Sequence, residues 1–391
     1  MSIENLVQEF LPHALEIRHQ VHQNPELGNK EFKTVELYRK ELESYGVEVQ
    51  EFPAMPTVLT GIIRGGKPGK TLGIREDIDA LPLTEETGLP YASTNGSMHA
   101  CGHDIHGSTL LYTARILQEM RSELCGNVRL IFQPAEELAT GAKDMLKNGF
   151  MELEPKCDCI IGFHCSPEYP VGSAAFIKGA ANASTDLINI TVKGKGGHGA
   201  HPYRCVDPIV TAAYMITQLQ TIVSRENPAV QPAVLTFGSI HGGQASNIIP
   251  TEVKLSGTLR TFNEEGRHKM WDAIKRLSEH CCEAMRATAE VEVIEGVPSL
   301  QNNAEVIDDL IAAAKETIGE ENVKPIPAPS PGSDDIACFC NLVPGAQFRI
   351  GTATEDPATQ IGLHNPKNIF ADGAVRTGGF VMAQYALNYL K

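Results

Sequence analysis

The sequence lacks the features that mark membrane-bound, secreted or repetitive proteins. Among its 391 residues, the longest apolar runs fall well short of the roughly 20 residues that a membrane-spanning helix needs. Acidic residues interrupt the first helical stretch, so we expect no signal peptide. We find no basic amphipathic stretch, internal repeat or low-complexity segment. These absences favour a cytoplasmic globular protein that has no membrane partner.

Paired cysteine motifs are also missing. The chain has ten cysteines, but none of them forms a Cys-x-x-Cys pair, so neither a thioredoxin-like site nor a zinc ribbon is indicated. In the reducing cytoplasm we expect no disulfides. Most of the cysteines are therefore expected to act as small buried apolar residues.

Positive charge is scarce. The chain has 33 basic and 48 acidic residues, which gives a formal net charge of −15. Such a surface repels phosphate backbones, so nucleic acid is excluded as a partner. Apolar residues make up 42% and charged residues 21% of the chain, as in ordinary globular proteins. The length predicts two or three domains.

The order of apolar patterns predicts an α/β fold with a mixed, mostly parallel sheet. Helical periodicity and short apolar runs alternate over residues 1–183, as in parallel sheets with helices on both faces. Residues 185–193 instead alternate as a half-exposed antiparallel strand does, and an α+β pattern follows them. The first pattern returns after residue 297. We therefore predict a catalytic domain of residues 1–183 and 297–391 and an inserted domain of residues 184–296.

Four short segments carry residue types that bind metal ions. Thiolates, imidazoles and carboxylates are the usual ligands of zinc and similar divalent ions. We predict that Cys101 and His103 lie on one side of an extended segment, before a helix that begins near residue 104. His164 is predicted at the carboxyl end of a strand, the edge where open α/β sheets place their sites. The candidate ligands are Cys101, His103, Glu137, His164 and His364.

Adjacent carboxylates stand in the segment Pro134-Ala135-Glu136-Glu137, which directly follows an apolar strand. Neighbouring negative charges repel each other, and a helix N-terminus offsets that repulsion only partly. A division of labour explains the pair: one carboxylate binds metal while the other handles protons. A solvated acidic pair at a helix start is the alternative. Because five ligands exceed one tetrahedral site, two ions that share a bridging ligand fit the set.

With these motifs the sequence resembles the di-metal metallopeptidase family of aminoacylases and glutamate carboxypeptidases, and within it the amidohydrolase subfamily. The resemblance covers essentially the whole chain. Its ordered motifs are R-H-x-x-H-x-x-P-E-L-G at 18–28, R-x-D-x-D-A-L-P at 75–82, H-A-C-G-H-D-x-H at 99–106, Q-P-A-E-E at 133–137, G-x-G-G-H-G-A-x-P at 194–202, N-x-I-P at 247–250, G-T-x-R at 257–260 and L-H-x-P at 363–366.

This resemblance implies a zinc-exopeptidase-like catalytic domain with an inserted lid or dimerisation domain, in a homodimer or homotetramer. It implies two divalent metal ions, Zn²⁺ first and otherwise Mn²⁺, Co²⁺ or Ni²⁺, with Cys101 as the bridging ligand. Glu136 matches the general base and His198 the histidine that stabilises the oxyanion. Asn247 and Arg260 match positions that hold substrate.

Two positions depart from the family pattern. Glu76 stands where a small residue is usual, and Gly332-Ser333-Asp334-Asp335-Ile336 replaces Gly-Ser-Glu-Asp-Phe. Neither Glu76 nor His106 has a role from the sequence. Asp77, Asp79 and Asp104 are candidates for orienting the ligand imidazoles.

The predicted function is metal-dependent hydrolysis of the amide bond of N-acyl-L-amino acids, with a small N-acyl amino acid as the partner molecule. Two other hydrolase functions stay open: a dipeptidase or other exopeptidase, and an N-acetyldiaminopimelate deacetylase. A non-catalytic metal-dependent binding protein is the alternative from another class, although such a protein has no need of a proton shuttle at Glu136.

Overall fold

The computed structural model describes residues 2–391. Its α-helices are α1 (Ile3–Gln23), α2 (Phe32–Ser44), α3 (His103–Glu119), α4 (Gly141–Lys147), α5 (Pro208–Thr221), α6 (Glu264–Ala284), α7 (Ala304–Ile318), α8 (Ala337–Cys340) and α9 (Gly373–Tyr389). Its strands are β1 (Glu48–Gln50), β2 (Leu59–Arg64), β3 (Lys67–Asp77), β4 (Cys125–Gln133), β5 (Cys159–Pro170), β6 (Ala174–Phe176), β7 (Gly179–Asn182), β8 (Asp186–Lys193), β9 (Gly197–His198), β10 (Ala233–Gly242), β11 (Ile248–Ile249), β12 (Glu252–Thr261), β13 (Thr288–Ile294), β14 (Leu300–Asn302), β15 (Val323–Pro325) and β16 (Gly345–Ala353).

The chain divides into two compact units. Unit 1 consists of Met1–Gly179, Gln301–Ala328 and Asp334–Lys391, and unit 2 consists of Ala180–Leu300 and Pro329–Ser333. The sequence prediction did not include the short segment Pro329–Ser333 in the inserted domain. The role of the inserted domain as a lid or dimerisation domain stays a prediction.

Unit 1 is built on an eight-stranded sheet with the order β1-β2-β4-β3-β5-β16-β6-β15. The central pairs β3–β4, β3–β5 and β5–β16 are parallel, and β1–β2 and β2–β4 are antiparallel. Residues alternate across the sheet, since side chains along a strand point to opposite faces. Leu130 and Ile161 enter the larger core, whereas Ile131 and Ile160 enter a smaller core. The prediction of a mixed, mostly parallel α/β fold is confirmed.

One break in this sheet matters for the site. Strands β3 and β5 pair only from Leu72 opposite Cys159 to Ile74 opposite Ile161. The ladder between β3 and β4 continues to Asp77 opposite Gln133. Strands β3 and β5 therefore separate at their carboxyl halves, and this gap is where polar side chains enter the sheet.

Unit 2 contains a four-stranded antiparallel sheet with the order β10-β12-β8-β13. Helices α5 and α6 supply apolar residues to its core. Helix α5 begins where the side chain of Asp207 accepts the N–H groups of Ile209 and Val210, with Pro208 as its first residue. Both features satisfy or remove donors that a helix start leaves unpaired. Among the described residues, no helix combines the length and the apolar character that crossing a membrane requires.

Candidate active site

Cys101 and His103 are brought together by a left-handed turn, not by an extended segment as the sequence reasoning assumed. Gly102 between them has φ +88°, and a Cβ atom there would lie 3.1 Å from the side chain of Cys165. Only glycine combines that backbone angle with so close an approach at little cost. His103 is the first residue of α3, so the loop and the helix start together position both side chains.

The structure gathers all five predicted ligands into two groups of three. Cys101, His103 and His164 form the first group, and Cys101, Glu137 and His364 form the second. Within each group the potential ligand atoms lie within 4.8 Å of one another. Cys101 Sγ lies 3.4 Å from His164 Nε2, and His364 Nε2 lies 3.3 Å from Glu137 Oε1. Cys101 is the member that the two groups share.

The two groups differ in exposure. Cys101, His103 and His164 are buried, whereas Glu137 is half-buried and His364 is exposed. His164 does not end its strand, as the sequence suggested, because β5 continues to Pro170. The apolar run ends near His164, but pairing with β16 carries the strand further. The first group is therefore shielded from solvent, whereas the second group has an exposed member at His364.

His103 is oriented by Asp79. Its Nδ1 donates to the carbonyl oxygen of Asp79 at 2.9 Å and lies 3.2 Å from the Asp79 carboxylate. The other carboxylate oxygen of Asp79 accepts the Glu137 N–H at 3.0 Å. Nε2 of His103 is buried and has no hydrogen-bond partner among the described residues. A buried nitrogen whose lone pair faces sulfur, nitrogen and oxygen ligands fits a divalent metal ion.

Glu136 faces a second acidic pair. Its carboxylate lies within 4.8 Å of those of Asp334 and Asp335. Loss of hydration and these two charges raise the pKa of Glu136 well above its ordinary value. The sequence suggested that the two carboxylates begin a helix. They lie instead in a turn before α4, which begins at Gly141. A carboxyl group with a raised pKa suits proton transfer near neutral pH.

The segment before Glu136 is held by a contact that the sequence did not reveal. Ala135 has φ +57°, which is costly for a residue with a Cβ atom. Its N–H donates to the buried carboxylate of Glu31 at 3.0 Å. Glu31 also accepts the N–H of Asn29 at 3.0 Å. Glu31 thereby couples the segment before α2 to the turn that carries Glu136.

Sequence reasoning also missed a buried charge network around Arg75. The guanidinium donates to Gln133 at 2.7 Å, Asp77 at 2.9 Å, Asp334 at 3.2 Å and Asp335 at 2.7 Å. A buried arginine is stable only with such partners. The available signal was the charged run Arg75-Glu76-Asp77, which directly follows the short apolar stretch Leu72–Ile74 of β3 and is buried. This network fixes the acidic pair that faces Glu136.

Asp104 does not orient a candidate ligand, which corrects the sequence interpretation. Its carboxylate accepts from Arg18 Nε at 2.9 Å and lies 3.0 Å from His22 Nδ1. These contacts tie α1 to the start of α3. Despite burial, the positive charges of Arg18 and His22 hold the pKa of Asp104 well below its ordinary value. Asp104 therefore serves helix packing next to the site.

The three remaining candidates, His198, Asn247 and Arg260, lie in unit 2. His198 is on β9, which pairs with β11, and Asn247 directly precedes β11. The carbonyl of Asn247 accepts the Gly199 N–H at 2.8 Å, so these two candidates are neighbours. Arg260 is on β12 and donates to the carbonyl of Pro331 at 2.9 Å.

The comparisons with known proteins bear on this arrangement of groups. A family model described as Peptidase family M20/M25/M40 matches residues 73–388. The chain belongs to this peptidase family. The predicted family resemblance is thereby confirmed, and so is the prediction that the chain is a hydrolytic enzyme. The alternative of a non-catalytic binding protein receives no support.

Curated relatives of the M20/M25/M40 family align along nearly the full chain. Thermostable carboxypeptidase 1 of Saccharolobus solfataricus is 37% identical, over 99% of this chain and 98% of the relative. Hippurate hydrolase of Campylobacter jejuni is 36% identical over 99% and 100%, and an N-acetylcysteine deacetylase of Bacillus subtilis is 35% identical over 98% of each chain.

Solved structures agree with this membership. A crystal structure from methicillin-resistant Staphylococcus aureus is 34% identical with a TM-score of 0.93, covering 100% of this chain and 99% of that chain. A Bacillus subtilis protein described as a dinuclear metal binding peptidase from the M20 family is 32% identical with a TM-score of 0.84, covering 98% and 99%. The chain is thus an amidohydrolase or peptidase of this family.

Proposed function

We propose that this protein hydrolyses the amide bond of N-acyl-L-amino acids, releasing a carboxylic acid and a free amino acid, with two divalent metal ions as cofactors. The observation that carries the proposal is the pair of ligand groups that share Cys101, next to the raised-pKa carboxyl of Glu136. The relatives named hippurate hydrolase and N-acetylcysteine deacetylase support an acyl amino acid as substrate.

The proposed metal ligands are Cys101, His103, Glu137, His164 and His364. Burial raises the pKa of the Cys101 thiol well above its ordinary value, so a thiolate there needs strong positive charge beside it. Burial lowers the pKa of His164, which keeps that imidazole neutral and able to donate a lone pair. Sulfur and imidazole donors favour Zn²⁺, while Mn²⁺, Co²⁺ and Ni²⁺ suit the same mixed set.

When bound, two divalent ions supply Lewis-acid polarisation of the amide carbonyl and lower the pKa of water. Glu136 takes a proton from the attacking water and later delivers it to the leaving amine. The Arg75 network holds Asp334 and Asp335 beside Glu136, and these charges keep the affinity of Glu136 for that proton high.

The residues of unit 2 are proposed to bind the substrate. His198 would stabilise the negative charge that develops on the carbonyl oxygen. Asn247 and Arg260 would hold the free α-carboxylate, since a planar guanidinium can bond both carboxylate oxygens. A requirement for that carboxylate favours acyl amino acids over internal peptide bonds.

An exopeptidase is the second candidate, and the relative named thermostable carboxypeptidase 1 favours it. We expect acetyl and benzoyl amino acids to be cleaved with kcat/KM at least about tenfold above simple dipeptides, because a site that binds one free α-carboxylate gains nothing from a second charged terminus. Rates with a panel of acyl amino acids and dipeptides, measured on one metal-loaded sample, test this. Faster cleavage of the dipeptides would replace the first proposal with the second.

Asp79→Asn is expected to weaken metal binding or activity by about 10–100-fold, the usual cost of losing a residue that orients a ligand. Asp79 accepts from both His103 and the Glu137 N–H, and an Asn amide would turn an N–H group towards one of them. Metal content and kcat measured on the same sample test the prediction. Unchanged values of both would show that Asp79 does not orient these ligands.

We also propose a homodimer or homotetramer. Exposed Ile209, Val210 and Tyr214 on α5 support this, since clustered apolar side chains on a surface mark association sites. Sedimentation velocity across a concentration series is the measurement that decides it.

A further inference from the structure

Because β3 separates from β5, two backbone N–H groups of β5 have no partner on β3. They belong to Phe163 and Cys165, the residues before and after His164. Backbone N–H groups along a strand point alternately to its two neighbours. Ile160 donates to Pro344, which directly precedes β16. The N–H groups of Phe163 and Cys165 therefore point towards β3, where the ladder has already ended.

Two side chains take the place of the missing strand. Glu76 Oε1 accepts the N–H of Phe163 at 2.9 Å, and His106 Nε2 accepts the N–H of Cys165 at 2.9 Å. Both acceptors are buried. The Gly162–Phe163 and His164–Cys165 peptide groups are thus each fixed by a side chain from another element, β3 for Glu76 and α3 for His106.

The hydrogen bonds of His106 and of His164 each determine which nitrogen of that imidazole carries its proton. An N–H group can only donate, so Nε2 of His106 accepts and Nδ1 donates to Asp77 Oδ1, 2.5 Å away. A carbonyl can only accept, so His164 Nδ1 donates to the Cys165 oxygen at 2.8 Å. His164 Nε2 is left with its lone pair directed at Cys101 Sγ.

Glu76 has no other evident role in the fold. It shares a face of β3 with Leu72 and Ile74, which belong to the larger apolar core. Its second oxygen is buried and has no hydrogen-bond partner among the described residues. A carboxyl group in apolar surroundings is expensive to keep, and the family pattern has a small residue at this position. The contribution of Glu76 to the fold is therefore its hydrogen bond with the Phe163 N–H.

We propose that Glu76 and His106 are positioning residues that replace β3 as the partner of β5 and so hold His164 in place as a metal ligand. This inference rests on the proposed function. It accounts for both residues that the sequence motifs left without a role. Neither residue touches the substrate or the reacting atoms in this scheme.

The test compares Glu76→Met with Glu76→Gln in the full-length protein. Met has a similar volume and offers only a weak sulfur acceptor, whereas Gln keeps an amide oxygen for the Phe163 N–H. Stripped protein is titrated with Zn²⁺ against a competing chelator, and Co²⁺ absorption spectra report the ligand field. Thermal unfolding of the metal-free protein and kcat and KM of the loaded enzyme are measured in parallel.

We expect Glu76→Met to weaken the affinity for at least one ion by about 10-fold or more and to alter the Co²⁺ spectrum. The metal-free Tm should stay within a few degrees, because an unpaired buried oxygen is also removed. Glu76→Gln should retain the wild-type affinity for metal. His106→Phe, which removes both hydrogen bonds and keeps a ring, should weaken binding further.

Wild-type affinity and an unchanged spectrum in Glu76→Met would overturn the positioning role. So would equal losses of metal-free Tm and affinity in the Met and Gln variants, which would indicate a purely structural residue. Failure of the wild-type protein itself to bind any of Zn²⁺, Co²⁺, Mn²⁺ and Ni²⁺ would instead overturn the proposed metal-dependent function.

Discussion

Glu136→Gln is expected to lower kcat by about 10³-fold while the metal content and KM stay near wild type. General acid–base catalysis contributes about 10²–10⁴-fold, and an amide cannot accept the proton that the mechanism requires. The variant should also be as stable as the wild type or more so. A glutamine cannot ionise beside Asp334 and Asp335, so the variant avoids the burial and charge repulsion that raise the pKa of Glu136, at a site that favours function over stability.

The measurements are steady-state kinetics on an N-acetyl amino acid, metal analysis and thermal unfolding of the same preparation. Glu279→Gln, the same change at an exposed position of α6, controls for the substitution itself. If Glu137 binds metal and Glu136 transfers the proton, Glu137→Gln should lower the metal content, and its loss of activity should follow from that loss of metal. Hydrolysis by Glu136→Gln at the wild-type rate would remove Glu136 from the mechanism.

Cys101→Ser is expected to have the second large effect, on metal content before activity. Cys101 is the one member common to both ligand groups, so its loss weakens both at once. A serine hydroxyl does not ionise near neutral pH, and it is a weaker metal ligand than the cysteine thiolate that it replaces. We expect fewer than two ions per chain and a loss in kcat/KM of more than about 100-fold, beyond what an orienting partner costs.

Cys281→Ser is the matched control, because Cys281 is also buried but lies on α6 in unit 2. Metal content at several free Zn²⁺ concentrations separates weaker affinity from the complete loss of a site. Recovery of activity at high Zn²⁺ would indicate weaker affinity alone. Full occupancy by two ions in Cys101→Ser at wild-type affinity would contradict a bridging role.

Some of the site was accessible from residue types and spacing. His164 lies within an apolar strand, and Glu137 follows another, where polar ligand types are expensive unless they serve a purpose. Cys101 and His103 were indicated by their ligand types and close spacing alone. The mixed, mostly parallel sheet followed from the alternation of apolar runs with helical periodicity. Both inferences need only residue types and their spacing within short segments of the chain.

Local reasoning failed where backbone geometry or distant contacts decide. The turn at Gly102 requires a left-handed backbone, and periodicity does not report backbone angles. The partner of Asp104 is Arg18, which comes from the first helix. The partners of Arg75 include Asp334 and Asp335, from the other end of the chain. Contacts between residues so far apart in sequence have no local signal.

Residue types in order were enough to predict the family, the fold class and the candidate metal ligands. The tertiary structure was needed to show which of those candidates lie close together and which nitrogens of His103 and His164 are free to face the site, and it supplied the contact on which the proposed role of Glu76 rests. The contacts of Glu76 and His106 with β5 depend on the separation of β3 from β5. Strand separation follows from the packing of the whole sheet, which no single segment specifies.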